Sequence, residues 1–189
     1  MSLLNLQTTN KEIQEGEIMG KKKGLFLSGG LFVITVWIWC SATPALSETL
    51  KCTSETKLVV NENEQAASSY YIGVNSREGS ATCENGETAT VKSYALWESN
   101  WPKEIFVQEY TIYTFKDFST IITKGNTHQV PDPNRAGEAA WFLEGTAETI
   151  KGANRFAGIK GSVSLKGKQL PPDRKIISEL TITYTLPPK

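Results

Sequence analysis

From residue 57 to residue 186 the chain is a succession of β-branched and aromatic runs with almost no helical periodicity. Short turn signals separate the runs. Residues 57–60 are β-branched, and residues 69–75 carry Tyr70, Tyr71, Ile72 and Val74. Asn85-Gly86 is a strong hairpin signal and joins residues 80–83 to a longer strand over 88–98. Ser99-Asn-Trp-Pro102 breaks that strand; residues 104–115 form the next, turned by Lys116-Asp-Phe-Ser119 into residues 120–125. Pro131-Asp-Pro-Asn134 marks a loop before residues 139–150. Residues 175–186 alternate cleanly, with Ile176, Ser178, Leu180, Ile182, Tyr184 and Leu186 on one face. Seven or eight strands joined by short turns predict an all-β antiparallel barrel or sandwich. A closed barrel is favoured, because closure removes the edges through which strands aggregate.

Residues 152–161, Gly-Ala-Asn-Arg-Phe-Ala-Gly-Ile-Lys-Gly, lie between two strands. Three glycines around one aromatic predict a tight turn passing close to another segment, with Phe156 as its anchor in the core. The strand over 105–115 alternates poorly. Ile105, Val107, Glu109, Thr111, Tyr113 and Phe115 share one face; Phe106, Gln108, Tyr110, Ile112 and Thr114 share the other. Both faces mix apolar with polar residues, as expected between a barrel interior and a second packed surface such as an oligomer contact.

The first 47 residues read as targeting sequence. Lys21, Lys22 and Lys23 precede an apolar run over 25–40, and Ser41-Ala-Thr-Pro-Ala-Leu-Ser47 follows. That order is a secretory signal, cleaved near Ser47 with Ala45 at the −3 position. The start is open between Met1 and Met19. An uncleaved membrane anchor is the alternative, since the run contains Trp37 and Trp39; bulky Trp39 before Cys40 disfavours a lipoprotein. Residues 48–189 are then one exported domain, secreted or periplasmic. Its net charge is about −1, because residues 1–47 hold four lysines and three glutamates out of 20 basic and 20 acidic residues. A hydrophobic content of 39% and charge of 21% fit a globular chain. Without a basic excess, nucleic acid is not an expected partner, and membrane contact is expected only through an uncleaved signal. Export makes a Cys52–Cys83 disulfide the favoured state over two free thiols. No Cys-x-x-Cys, P-loop, dinucleotide fingerprint or Gly-x-Ser-x-Gly occurs.

Three segments resemble a known family. Residues 106–125 (Phe-Val-Gln-Glu-Tyr-Thr-Ile-Tyr-Thr-Phe-Lys-Asp-Phe-Ser-Thr-Ile-Ile-Thr-Lys-Gly) look like the central hairpin of plant allene oxide cyclases. Residues 152–161 resemble that family's glycine-rich turn with its Phe-x-Gly-x-x-Gly tail. Residues 180–186 resemble its aromatic closing strand. Dirigent proteins share the barrel and a similar turn, so the resemblance is to the wider superfamily. It covers about 80 residues well and the region 57–98 loosely. It implies an eight-stranded calycin-like barrel around an apolar cavity, and a trimer. By that hairpin Val107, Glu109, Thr111 and Tyr113 point inward opposite Thr123 and Thr127, while Phe106, Tyr110 and Ile112 face outward. The cyclase residues are largely missing. The family's first-strand glutamate falls on Val59, its Ser-Pro pair on Ala67 and Ser68, and its tyrosine past the hairpin glycine on Thr127; only Asn61 matches. Ala153 and Asn154 also depart from the turn's usual small residues, although Asn tolerates the left-handed conformation.

Glu109 is the sharpest candidate for chemistry. Inside an apolar barrel its carboxyl would have a raised pKa, and it would act as an acid or hold a ligand's polar end. The plainer reading is an outward glutamate paired with a lysine. Tyr94, Trp97 and Tyr113 are expected to line an aromatic pocket, or else to be core or interface. With Asn61, Val107, Glu109 and Thr127 they make the expected ligand-binding set. His128, the single histidine, is read as a solvated loop residue, and Lys160, Lys166 and Lys168 as a solvated strand face. One histidine and a disulfide leave no His/Cys metal site, and no cofactor is expected. The leading functional expectation is a non-catalytic module binding a small apolar or amphipathic molecule in the barrel. A cyclase or isomerase acting by cavity shape, and a structural barrel filled with side chains, are the alternatives.

Overall fold

The computed structural model describes residues 46–135 and 140–188. Of the targeting segment expected over residues 1–47, residues 1–45, with Met19 and Cys40, lie outside the described residues, and Ser47 begins the first strand. Eight strands follow in order: β1 Ser47–Ala67, β2 Tyr70–Cys83, β3 Thr88–Asn100, β4 Glu104–Phe115, β5 Thr120–Pro131, β6 Trp141–Ala153, β7 Lys160–Leu170 and β8 Lys175–Thr185. Each pairs antiparallel with the next, and β8 pairs with β1 to close the barrel. Every strand therefore has two neighbours and no edge is left unpaired.

Several strands run further than the residue pattern predicts. Residues 57–60 are the middle of a 21-residue strand, β1. Residues 69–75 and 80–83 belong to one strand, β2, whose polar stretch Ser76-Arg-Glu-Gly79 hides its continuity. Arg77 points into the barrel. A side chain at Gly79 would strike the Glu55 carbonyl oxygen, 1.8 Å from an added Cβ. β5 continues past Gly125 to Pro131, which places His128 on a strand instead of in a loop. Gly125 marks close approach within the sheet: an added Cβ would lie 2.4 Å from that of Ala147.

One end of the barrel carries the β2–β3, β4–β5 and β6–β7 turns and is plugged by apolar side chains. Leu50, Val91, Tyr113, Phe115, Ile121, Ile159, Val163, Leu180 and Ile182 pack there around Phe156. The glycine segment supplies the plug. Asn154 takes φ 55° and Gly158 φ 77°, so the chain turns through a short 3₁₀ helix, Asn154–Phe156. Asn154 Nδ2 donates to the Phe118 carbonyl at 2.9 Å. Gly152 lies against the Phe156 carbonyl oxygen, 2.2 Å from where a Cβ would stand. Phe156 is only 3% exposed, with Phe115 at 5.2 Å and Tyr184 at 5.7 Å between ring centroids. The Arg155 guanidinium covers the Phe115 and Phe156 rings and pairs with Glu87. At the same end Cys52 and Cys83 face each other across β1 and β2 and are joined by a disulfide, both buried. The inward face of β8 is the expected one, with Ser178, Leu180, Ile182 and Tyr184 buried.

Candidate ligand site at the mouth of the barrel

Above the plug the interior becomes polar. Ser54, Thr56, Ser93, Thr111, Thr123 and Ser178 are buried inside the barrel. Ser54 and Ser178 bring their hydroxyl oxygens to 3.1 Å. Small residues leave space at the next level. The paired row Ala95, Glu109, Gly125, Ala147 runs across β3, β4, β5 and β6. Glu109 borders a chamber of about 60 Å³, with Arg77, Thr111, Tyr113 and Thr127 among its walls.

A larger cavity, about 260 Å³, lies at the opposite end from the plug. Tyr71, Trp97, Trp101 and Trp141 form its aromatic lining, and Leu58, Ile105 and Val107 its aliphatic lining. Its polar groups are Asn61, Asn63, Asn75, Ser99, Gln129, Gln169, Arg77 and Arg174. The rings come from strand ends that converge here. Trp141 opens β6 and is buried, while Trp101 follows β3 and is exposed at the rim; their centroids are 5.3 Å apart. Trp97 lies across Gly73 on the neighbouring strand, where an added Cβ would meet its ring at 2.6 Å. A glycine opposite an aromatic lets the indole lie flat on the sheet. The Trp97 Nε1–H is buried and has no hydrogen-bond partner among the described residues.

Arg77 joins the two spaces, bordering both. Its side chain is 7% exposed. Nη2 donates to Gln169 Oε1 at 2.9 Å, and Nη1 donates to the Arg174 carbonyl oxygen at 2.7 Å. Burial pulls the guanidinium down to about 10, opposed by the charge of Glu109; it remains cationic at neutral pH. Burial raises the Glu109 carboxyl above the ordinary carboxylate range, opposed by the charge of Arg77 and by a long hydrogen bond from Thr127 Oγ1 at 3.5 Å. The Tyr113 hydroxyl is raised as well, by burial first and then by Glu109.

The structure divides the sequence-predicted residues into three groups. Asn61, Trp97 and Val107 border the mouth cavity. Asn61 reaches it because the register shifts between Leu58 and Val60, which turns both Leu58 and Asn61 inward. Glu109, Tyr113 and Thr127 face inward on the expected side but border the inner chamber, one level deeper. Tyr94 is 54% exposed on the outer face, directly across from Tyr110 on β4, apart from Trp97 and Tyr113. The alternation of β3 puts Trp97 inside and so must put Tyr94, three residues away, outside. Val59 is 58% exposed on the outside. His128 is on the outer face too, with Nε2 3.2 Å from Glu104 Oε2 and its ring stacked on Phe106 at 4.6 Å. Among the described residues no group of three His, Cys, Asp or Glu is placed to hold a metal ion.

The residues sequence reasoning missed are Arg77, Tyr71, Trp101, Trp141, Gln129 and Gln169. Arg77 sits in a stretch that reads as a turn, and Trp101 in the strand-breaking Trp-Pro. Three of the chain's five tryptophans fall in residues 97–141, and all three converge on one cavity. That clustering was the available signal.

No protein-family model matches the sequence, and no curated protein matches it. Among solved structures the chain is similar to a conserved protein of unknown function from Rhodopseudomonas palustris, at 8% identity and a TM-score of 0.50. The match covers 73% of this chain and 98% of that one. At this identity the likeness concerns the fold alone, an eight-stranded antiparallel barrel.

Proposed function

We propose that this is an exported binding protein whose barrel mouth holds a small amphipathic molecule. The mouth cavity carries the reading: its lining combines aromatic rings with amides and the Arg77 guanidinium held on strands, and with Arg174 in the turn after β7. Convergent polar groups in a mostly apolar concavity are the usual makeup of a small-molecule site. Its 260 Å³ equals the room taken by about nine water molecules. A one- or two-ring molecule fits that space. The Cys52–Cys83 disulfide supports an oxidising compartment, and with it removal of residues 1–47 and a domain over residues 48–189. The three segments that resemble allene oxide cyclases support descent from that superfamily, with its catalytic positions largely replaced.

The same barrel has an outer face suited to a second copy of the chain. Ile72, Val74, Tyr94, Leu96, Phe106 and Tyr110 are exposed together on β2, β3 and β4. Three half-exposed aromatics and three aliphatics present on the order of 500 Å² of apolar surface. With a polar rim this approaches the roughly 800 Å² per partner of a stable interface.

Trp97, Trp101 and Trp141 all line the cavity, which makes indole fluorescence a local reporter. In the full chain carrying Trp37→Phe and Trp39→Phe, added 2-naphthol should change tryptophan emission saturably. Trp97→Phe should weaken that binding. Emission that never saturates, with no small molecule retained in native mass spectrometry, would overturn the reading.

A further inference from the structure

We infer that the mouth cavity selects anions, and that its ligand is a small planar ring carboxylate seated on Arg77. The inference rests on the binding reading above and adds the charge of the ligand. Its basis is a buried cation with no carboxylate in contact with it, Glu109 acting on it only across the chamber beneath. No carboxylate among the described residues comes within 4.0 Å of the Arg77 guanidinium. The two acceptors it has, Gln169 Oε1 and the Arg174 carbonyl, are neutral. They aim the guanidinium without cancelling its charge. A guanidinium has five N–H donors in a flat fork, and two are engaged, so its other donors remain for a ligand beside the cavity it borders.

The cavity walls repeat the sign. Arg77 and Arg174 line it, and no Asp or Glu does. The nearest interior carboxyl, Glu109, borders only the chamber beneath, and burial favours its neutral form. An isolated buried charge is costly unless it is paired. A bound carboxylate supplies the pairing that the chain leaves out. The Trp97 Nε1–H is a second buried donor with no acceptor. Trp97 thus adds a neutral donor to the cationic one at Arg77. The remaining wall, from Trp97 to the tilted Trp101–Trp141 pair, offers ring faces to a flat molecule.

A matched pair of probes tests the charge apart from the site. Indole-3-carboxylate and neutral indole differ by the carboxylate alone. Titrated into the full chain, indole-3-carboxylate is expected to bind about tenfold to a hundredfold more tightly, the range of a hydrogen bond to a charged group. Arg77→Gln should bring the two affinities together. Arg174→Gln, at the exposed rim, should lower the carboxylate's affinity a few-fold. If indole binds as tightly as its carboxylate, the anion inference is overturned and the binding reading stands. If neither binds, the reading itself has failed. Should Arg77→Gln not fold, the comparison on the chain with native Arg77 still decides.

Discussion

Glu109 is held between two opposing influences. Desolvation favours its neutral form, while the charge of Arg77 and the Thr127 hydroxyl favour the carboxylate. Desolvation dominates, so the folded pKa lies above the unfolded value, near 4.5. The folded state then binds more protons than the unfolded state over that interval. The contribution of this group to stability falls as pH rises from about 4.5 through the folded pKa, and is constant above it. Glu109→Gln removes that slope. Urea unfolding across this interval should show the variant gaining on the native chain as pH rises. A gap that stays constant would mean the carboxyl is not desolvated. Phe156 is a different kind of residue, a pure packing anchor among Phe115, Tyr184 and the Arg155 guanidinium. Phe156→Ala should cost about 3–5 kcal/mol of unfolding free energy, the range for emptying a buried aromatic site. Because the plug is at the far end from the mouth, probe affinity should survive in whatever fraction remains folded.

At the scale of elements, β1 and β2 show how side-chain alternation and a cross-link fix register. Cys52 and Cys83 pair directly, and a bond there closes a 31-residue span. Losing it through Cys52→Ala with Cys83→Ala should lower stability by about 3–4 kcal/mol, as loop closure predicts. Denaturant melts with and without reductant on the native chain should differ by the same amount. An unchanged midpoint would mean the pair is reduced as purified. These strands also mark the limit of sequence reading. β8 alternates apolar and polar residues, so its inward face is legible at once. β2 carries Arg77 where alternation would place an apolar residue, and a buried guanidinium looks the same in sequence as a turn residue. The bulge that turns Asn61 inward leaves no mark in the residue pattern. The site was legible where it coincides with an aromatic strand, as at Trp97 and Val107. It was hidden where polar residues serve the interior.

Two apolar surfaces stand out among the described residues of the whole molecule. One is the ring-lined mouth. The other is the outer patch on β2, β3 and β4, where Leu96 is 59% exposed. Alternation along β3 assigns them: Trp97 points to the ligand cavity and its neighbours Tyr94 and Leu96 to the outside. A contiguous outer patch of this size matches the largest found on ordinary monomers, which are often functional, and it is the face we propose for a second copy. Self-association through one shared face buries it twice at each contact, which is how a symmetric pair forms. Leu96→Glu puts a carboxylate at the centre of that patch, and burying it against another copy would leave the charge unpaired. Light scattering on a sizing column should find the native chain at a multiple of its 20.9 kDa mass, or of the shorter exported form, and the variant at the single-chain mass. The mouth lies on the opposite face of the same sheet, so the variant should bind indole-3-carboxylate as the native chain does. A native chain that stays at the single-chain mass at tens of micromolar would remove the outer face from the list of contacts and leave the mouth untouched.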